Sequence, residues 1–259
     1  MRRIYHDYKK KPSYKWLFLL VLLCIAQYGN AQRYPFYNLN VENGLIQSQS
    51  RSLAQDKFGH LWIGTLGGIS RYDGMDFVNY SVRHGILDNE VKAITTDSKG
   101  NVWIGHRKGL SLFNGEKFKH FKLGLTDQNN DDNVEQLLID KNNTVWCISN
   151  NKLFEIKNNR VNDIKLPKKI STIFYDSSGL WIADETGKLY HKKQQGWDSI
   201  QLNFGIHTHP ITITKILQNR KGKLLIATTH GLFVLKDNTA TPFIVKGIPL
   251  DKLPPILAL

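Results

Sequence analysis

Apolar and polar positions along this chain repeat in a unit of about 40 residues, and such a period is the mark of a solenoid, propeller or array. Taking Trp62 as anchor, its counterparts are Trp103, Trp146, Trp181 and Leu225, at spacings of 41, 43, 35 and 44. The flanks move with the anchor. Asp56, Asp97 and Asp140 each lie six residues before their Trp, Asp176 lies five before Trp181, and Asn219 six before Leu225. Gly59, Gly100, Asn143, Gly179 and Gly222 fill the turn between. Upstream stand two apolar columns, Leu53/Ile94/Leu137/Ile173/Ile216 and Ser50/Val91/Val134/Ile170/Ile213, the first copy carrying Ser in the second column. Downstream come "GGISRY", "KGLSLF", "NKLFEI", "GKLY" and "HGLFVL". An apolar pair three apart closes the first four copies: Phe77/Tyr80, Phe118/Phe121, Val161/Ile164 and Trp197/Ile200. The fifth copy is looser there, around Phe243.

Each unit thus holds four short apolar segments separated by turn chemistry. Asp bonds its own backbone and Gly accepts positive φ, so D-x-x-G marks a turn. Segments of four to six residues bounded in this way are strands. The second segment, such as Leu61-Trp62-Ile63, is apolar without alternation, which predicts burial on both faces. Four-stranded units of this length, buried on both sides, predict an all-β propeller of five repeats and the start of a sixth. The Trp anchors then become packing bricks between blades, not platforms for sugars. Trp197 stands outside that register, and exposure is expected for it.

The stretch "NGLIQSQSRSLAQDKFGHLWIGTLGGISRYDGMDFVNY" resembles the two-component regulator propeller repeat. The resemblance runs over about residues 39–259, clearest through Phe121 and again at "GKLLIATTHGLFVL". Cys147-Ile148 departs from the usual Ile-Gly, and Leu225 replaces Trp. The resemblance implies the periplasmic sensor region of a histidine kinase or hybrid two-component system. Ligand binding or domain docking would shift the propeller and pass a signal across the membrane to a kinase, none of whose residues are expected in this chain. It implies a small-molecule or carbohydrate ligand, and as further partners the membrane, downstream domains of the same polypeptide and a second copy in a homodimer. Two other classes stay open: a secreted propeller enzyme such as a polysaccharide lyase, and a secreted interaction scaffold.

The N-terminus changes the charge balance. A basic head, the apolar run Trp16–Ala26 and small residues at Gly29 and Ala31 predict a secretory signal over residues 1–31, with the propeller over 32–259. That run is short of the ~20 apolar residues that span a bilayer. The whole chain carries a net charge of +13; past Ala31, 29 basic face 21 acidic residues. The excess is basic, yet an exported chain does not meet the genome, so no nucleic-acid partner is expected. Cys147 is the only cysteine past the signal, which rules out an internal disulfide there. The expected place is the periplasm or cell envelope, with a membrane anchor in a segment beyond Leu259.

Candidate chemistry sits at the tips between second and third segments: Thr65-Leu66-Gly67, His106-Arg107-Lys108, Ser149-Asn150-Asn151, Asp184-Glu185-Thr186 and Thr228-Thr229-His230. The frame recurs while these tips change, and loops on a rigid frame are where binding residues concentrate. His106, Arg107, Asp184, Glu185 and His230 are therefore the expected ligand contacts. Asp127–Asp132 looks like the opening of a calcium loop, but Asp132 stands where that loop needs Gly and Leu138 where it needs Glu. His207-Thr208-His209 has no third ligand for zinc. No metal, cofactor or catalytic residue is expected. Residues Gly247–Ile256 align without gaps on Gly85–Ile94, so the sequence reads as ending inside a sixth unit. "FYNL" at Phe36–Leu39 matches an outermost strand placed before its own blade, and an incomplete ring with unpaired edges is expected.

Overall fold

A computed structural model describes residues 36–124, 132–193, 196–202, 211–236 and 239–243. The chain divides into two units, Met1–Asn38 and Leu39–Leu259. Of the first, only residues 36–38 are described; they carry no regular structure, and Phe36 and Tyr37 are exposed. The signal, the His207–His209 pair, the sixth-unit start and all but Asp132 of the calcium-like run lie outside the described residues. Among the described residues, no helix is long and apolar enough to cross a membrane.

The second unit is all-β. Five antiparallel four-stranded sheets follow one another, each built from four strands consecutive in sequence. The innermost strands are Ser50–Gln55, Val91–Thr96, Val134–Ile139, Ile170–Asp176 and Ile213–Gln218. The second strands are Leu61–Thr65, Val102–His106, Val145–Ser149, Gly179–Asp184 and Leu224–Thr228. Each inner strand lies against the inner strand of the next sheet, the arrangement of propeller blades. The upstream column at Ser50, Val91, Val134, Ile170 and Ile213 is the first residue of every inner strand. The fifth blade closes with Thr239–Pro242, just before the aromatic that marks it in sequence. Residues 36–39, where "FYNL" has the pattern of an outermost strand, form no strand.

Burial follows the repeat. Second strands are buried almost throughout, as Val102–His106 and Val145–Ser149 are at every position. Four apolar clusters sit between blades instead of within them. Trp62 of the first blade packs with Val91, Ile94, Val102, Ile104 and Phe113 of the second. Trp103 packs into the third blade, Trp146 into the fourth and Trp181 into the fifth. Each indole is therefore a wedge between neighbours, and its burial contributes about 1.5–3 kcal/mol or more. The glycine two after the Trp has a reason of its own. A Cβ on Gly64 would meet Val91 Cγ1 at 2.6 Å, and one on Gly105 would meet Val134 Cγ1 at 2.6 Å. Glycine there lets the next blade's inner strand close up.

The acidic turn residue does two jobs. Asp56 Oδ1 accepts from the amides of Phe58 and His60, while Oδ2 accepts from Trp62 Nε1 at 2.8 Å and meets His60 Nδ1 at 2.9 Å. Burial alone would raise this carboxyl, but the bonds from Trp62, His60 and those amides outweigh it and hold it below the usual range. Asp140 repeats the pattern, accepting from Asn142 N, Thr144 N and Trp146 Nε1. In the second blade Asn101 Nδ2 takes Asp97 Oδ2 at 2.7 Å, and Trp103 Nε1 has no partner. The fourth blade has the shorter five-residue spacing; Trp181 Nε1 is also unpaired, and His191 stacks flat on the ring at 3.8 Å.

Candidate functional site

The tips are positioned by one repeated bond. The second tip residue donates its amide to the residue just before the inner strand: Arg107 N to Glu90 O, Asn150 N to Asn133 O, Glu185 N to Lys169 O and Thr229 N to Thr212 O, at 2.9–3.3 Å. Four tips are thereby clamped at the end of the blade where its inner strand begins. A register irregularity recurs there in all five blades, leaving Arg51, Lys92, Glu135, Ser171 and Thr214 outside the regular pairing with the second strand. Such a bulge re-aims side chains at a strand end. These five polar residues belong to the same end as the tips. Sequence reading passed over them because one bulge residue interrupts no visible pattern.

The first residue of each tip is not a surface residue. Thr65, His106, Ser149, Asp184 and Thr228 all have 0% exposure. His106 and Asp184, expected as ligand contacts, are thus buried, for a physical reason: each ends a second strand, and its side chain is bonded within the protein. Thr65 and Thr228 donate their hydroxyls to the carbonyls of Gly68 and Gly231. Asp184 accepts from Thr186 N, Thr186 Oγ1 and Lys188 N on one oxygen and from the Tyr190 hydroxyl on the other. Burial first, then this bond to Asp184, raises the Tyr190 phenol, so it stays a donor.

His106 is wired in the same manner. Its Nδ1 lies 2.8 Å from the carbonyl of Asp88, which can only accept, so that nitrogen carries the proton. Nε2 then accepts from Ser111 Oγ at 3.0 Å, and Ser111 in turn accepts from His120 Nδ1 at 2.8 Å. Burial lowers His106 to about 4, against smaller opposing contributions from Asp88. It is neutral at ordinary pH and has no nitrogen left for a substrate.

Arg107, Glu185 and His230 are differently placed. Arg107 is 45% exposed at its side chain and lies 3.5 Å from both Asp88 and Glu90; Lys92 is 3.4 Å from Glu90, so a chain of alternating charge edges the second blade. Glu185 is exposed. His230 is half-buried, its amide held by Thr228 Oγ1 and its Nδ1 3.0 Å from Thr229 Oγ1. The three stand on three blades.

One serine–histidine contact lies elsewhere. Ser178 Oγ is 3.1 Å from His191 Nε2 but only 2.6 Å from Asp176 Oδ1. The hydroxyl proton goes to the carboxylate, so His191 donates to Ser178 and does not act as its base. This is a turn cap, not a nucleophile. Cys147, fully buried, has its thiol pushed far up by burial and then by Asp132, and stays a neutral packing group. Among the described residues, no group of three His, Cys, Asp or Glu could hold a metal ion.

Two stretches, residues 44–67 and 85–108, match the family model of the two-component regulator propeller. Both matches run into the tip of their blade. No curated protein matches the chain in direct comparison. Among solved structures, the extracellular domain of the hybrid two component system BT3049 from B. thetaiotaomicron is 20% identical with a TM-score of 0.65, over 81% of this chain and 32% of that one. Virginiamycin B lyase from Staphylococcus aureus is 15% identical with a TM-score of 0.59, over 76% of this chain and 71% of the lyase. PorZ, a surface component of the type-IX secretion system of Porphyromonas gingivalis, is 16% identical with a TM-score of 0.59, over 77% and 34%. Likeness at these identities establishes the fold alone. The chain spans about a third of the length of the BT3049 domain.

Proposed function

We propose, from the premise that this chain carries repeats of the two-component regulator propeller family, that it is the extracytoplasmic sensing segment of a two-component regulator. Exported and held at the cell envelope, it would report ligand occupancy to a kinase that lies outside this sequence. The observation that carries the reading is the split within each tip. The first residue is buried in all five, and in the first, fourth and fifth blades its side chain is bonded into the turn, whereas the second and third differ from blade to blade, in four of the five on a backbone clamp of fixed geometry. A rigid frame with interchangeable tips suits recognition by loops. It asks nothing of catalysis, and the arrangement of His106 supports that side, since both of its nitrogens are spent.

Arg107, Glu185 and His230 are the ligand contacts in this reading, with Lys92 and the other bulge residues beside them; His106 and Asp184 support them from below. The test uses the full-length gene in its host with a transcriptional reporter. Replacing Arg107, Glu185 and His230 together by Ala should flatten the dose-response to the inducing nutrient, while protein level stays unchanged, since exposed loop substitutions usually cost less than about 0.5 kcal/mol. An unaltered dose-response would refute the assignment.

A further inference from the structure

The third blade departs from the second at the end where its inner strand begins. In the second blade His106 is satisfied there by the Asp88 carbonyl and Ser111 Oγ. The third blade has Ser149 in the place of His106, and Phe154 in the place of Ser111: Cys147 pairs with Phe154 as Ile104 pairs with Ser111. Ser149 is fully buried, and its Oγ has no hydrogen-bond partner. Two more buried oxygens close to it in the fold, Asp132 Oδ1 and Asn133 Oδ1, are also without one. Buried polar atoms are almost always partnered, so three orphans in one place ask for a common cause.

The strands bring the three together. Ser149 pairs in register with Val134, the residue directly after Asn133, and Asn150 N donates to the Asn133 carbonyl at 3.3 Å. Successive residues of a strand alternate in face. Trp146 and Ile148 pack toward the fourth blade, Val145 and Cys147 toward the second, so Ser149 turns toward the second. Asp132 lies on that side as well. Its Oδ2 accepts from Leu123 N at 2.8 Å, and Leu123 belongs to the Cys147 cluster. Its Cβ is 3.6 Å from where a Cβ on Gly109 of the second blade would stand. Burial first, and then the Asp132 carboxylate, push up the thiol of Cys147, two residues from Ser149 on the same face.

The amide oxygen of Asn133 and the carboxylate oxygen of Asp132 can only accept. A water can donate to both, but it leaves the charge of half-buried Asp132 uncompensated, and Asp132 has no ion-pair partner among the described residues. One carboxylate, one amide oxygen and one hydroxyl make an all-oxygen set, which suits a hard cation. So mixed a set suits calcium better than magnesium, which demands a near-ideal octahedron and gives up its water reluctantly.

We infer that Asp132, Asn133 and Ser149 hold a calcium ion between the second and third blades, with water completing its coordination. A single carboxylate makes the site weak, in the range of about 0.1–1 mM typical of extracellular modules. The ion would tie the start of the third inner strand to the end of its second strand and, through Asp132, to the segment leaving the second blade. The residues in the matching places of the other blades are Ser48-Gln49, Asn89-Glu90, Lys168-Lys169 and Ile211-Thr212, so the set occurs once. The inference does not rest on the sensing role given to the tips.

The test is thermal melting of the whole chain, stripped with EGTA, against added calcium chloride, with magnesium chloride and sodium chloride at equal ionic strength as controls. Calcium should raise the melting temperature saturably, half-maximally at about 0.1–1 mM, and magnesium should raise it far less. Asp132→Asn and Ser149→Ala should each move the half-maximal concentration upward at least tenfold. Without calcium, Ser149→Ala should melt no lower than the parent, since it removes an orphan hydroxyl and adds no bulk. Glu185→Ala with His230→Ala, on the fourth and fifth blades, should leave the calcium response unchanged. Absence of a calcium shift would overturn the inference and leave water as the partner of the three oxygens. An equal shift with magnesium, or variants that keep the parent's calcium response, would overturn it too. So would a calcium-free Ser149→Ala chain that melts lower, because its hydroxyl would then be partnered within the protein.

Discussion

Two tryptophans at the same place in the repeat differ by one hydrogen bond. Trp62 Nε1 donates to Asp56, which is 7% exposed, whereas Trp103 Nε1 has no partner and Asp97 Oδ2 takes Asn101 Nδ2 instead. Phe in place of either indole removes similar packing. Only Trp62→Phe also removes one of the two hydrogen-bonding contacts on a buried carboxylate oxygen, leaving that of His60, and such a loss costs about 1 kcal/mol. Denaturant titration should therefore find Trp62→Phe the more destabilising of the two by about that amount. Equal costs would mean the Asp56–Trp62 bond contributes nothing net. The six-residue Asp-to-Trp spacing was legible in the sequence; which indoles are bonded was not, because Trp62 and Trp103 share that spacing and each follows a side chain on the same carboxylate oxygen, yet only Trp62 donates to it. His106 and Asp184 were misplaced for a related reason. Their residue types read as surface, yet they directly continue apolar runs, "VWIG" and "LWIA", and that continuity was the available signal.

At the scale of the strand, the column Leu53/Ile94/Leu137/Ile173/Ile216 was readable as one position on the inner strand, and the structure keeps it so. Its burial is nonetheless unequal. Leu53 is 62% exposed, against 7% for Ile94, 6% for Ile173 and 1% for Ile216. The buried members belong to the clusters built around the preceding blade's Trp. The first blade has no such Trp before it among the described residues. Ile94→Ala should cost about 2–5 kcal/mol and Leu53→Ala under about 0.5 kcal/mol in the isolated chain. Thermal melts of the two variants check this; matching losses would show Leu53 covered in solution.

For the whole molecule, the account rests on a division of labour repeated five times: frame residues that hold blade to blade, and tip residues that hold nothing together. The fold was legible because packing between identical units forces the same residue types to recur. The site was legible only as a place, since its residues differ in every copy. Saturation mutagenesis of the chain with a folding reporter measures that division directly. The account predicts a periodic profile in which Trp62, Trp103, Trp146, Trp181 and the buried first tip residues Thr65, His106, Ser149, Asp184 and Thr228 tolerate little. The second tip residues Arg107, Asn150, Glu185 and Thr229, which are held through their backbone amides, should accept nearly any side chain except proline, which lacks the donor. A profile in which those second residues are as intolerant as the tryptophans would contradict it.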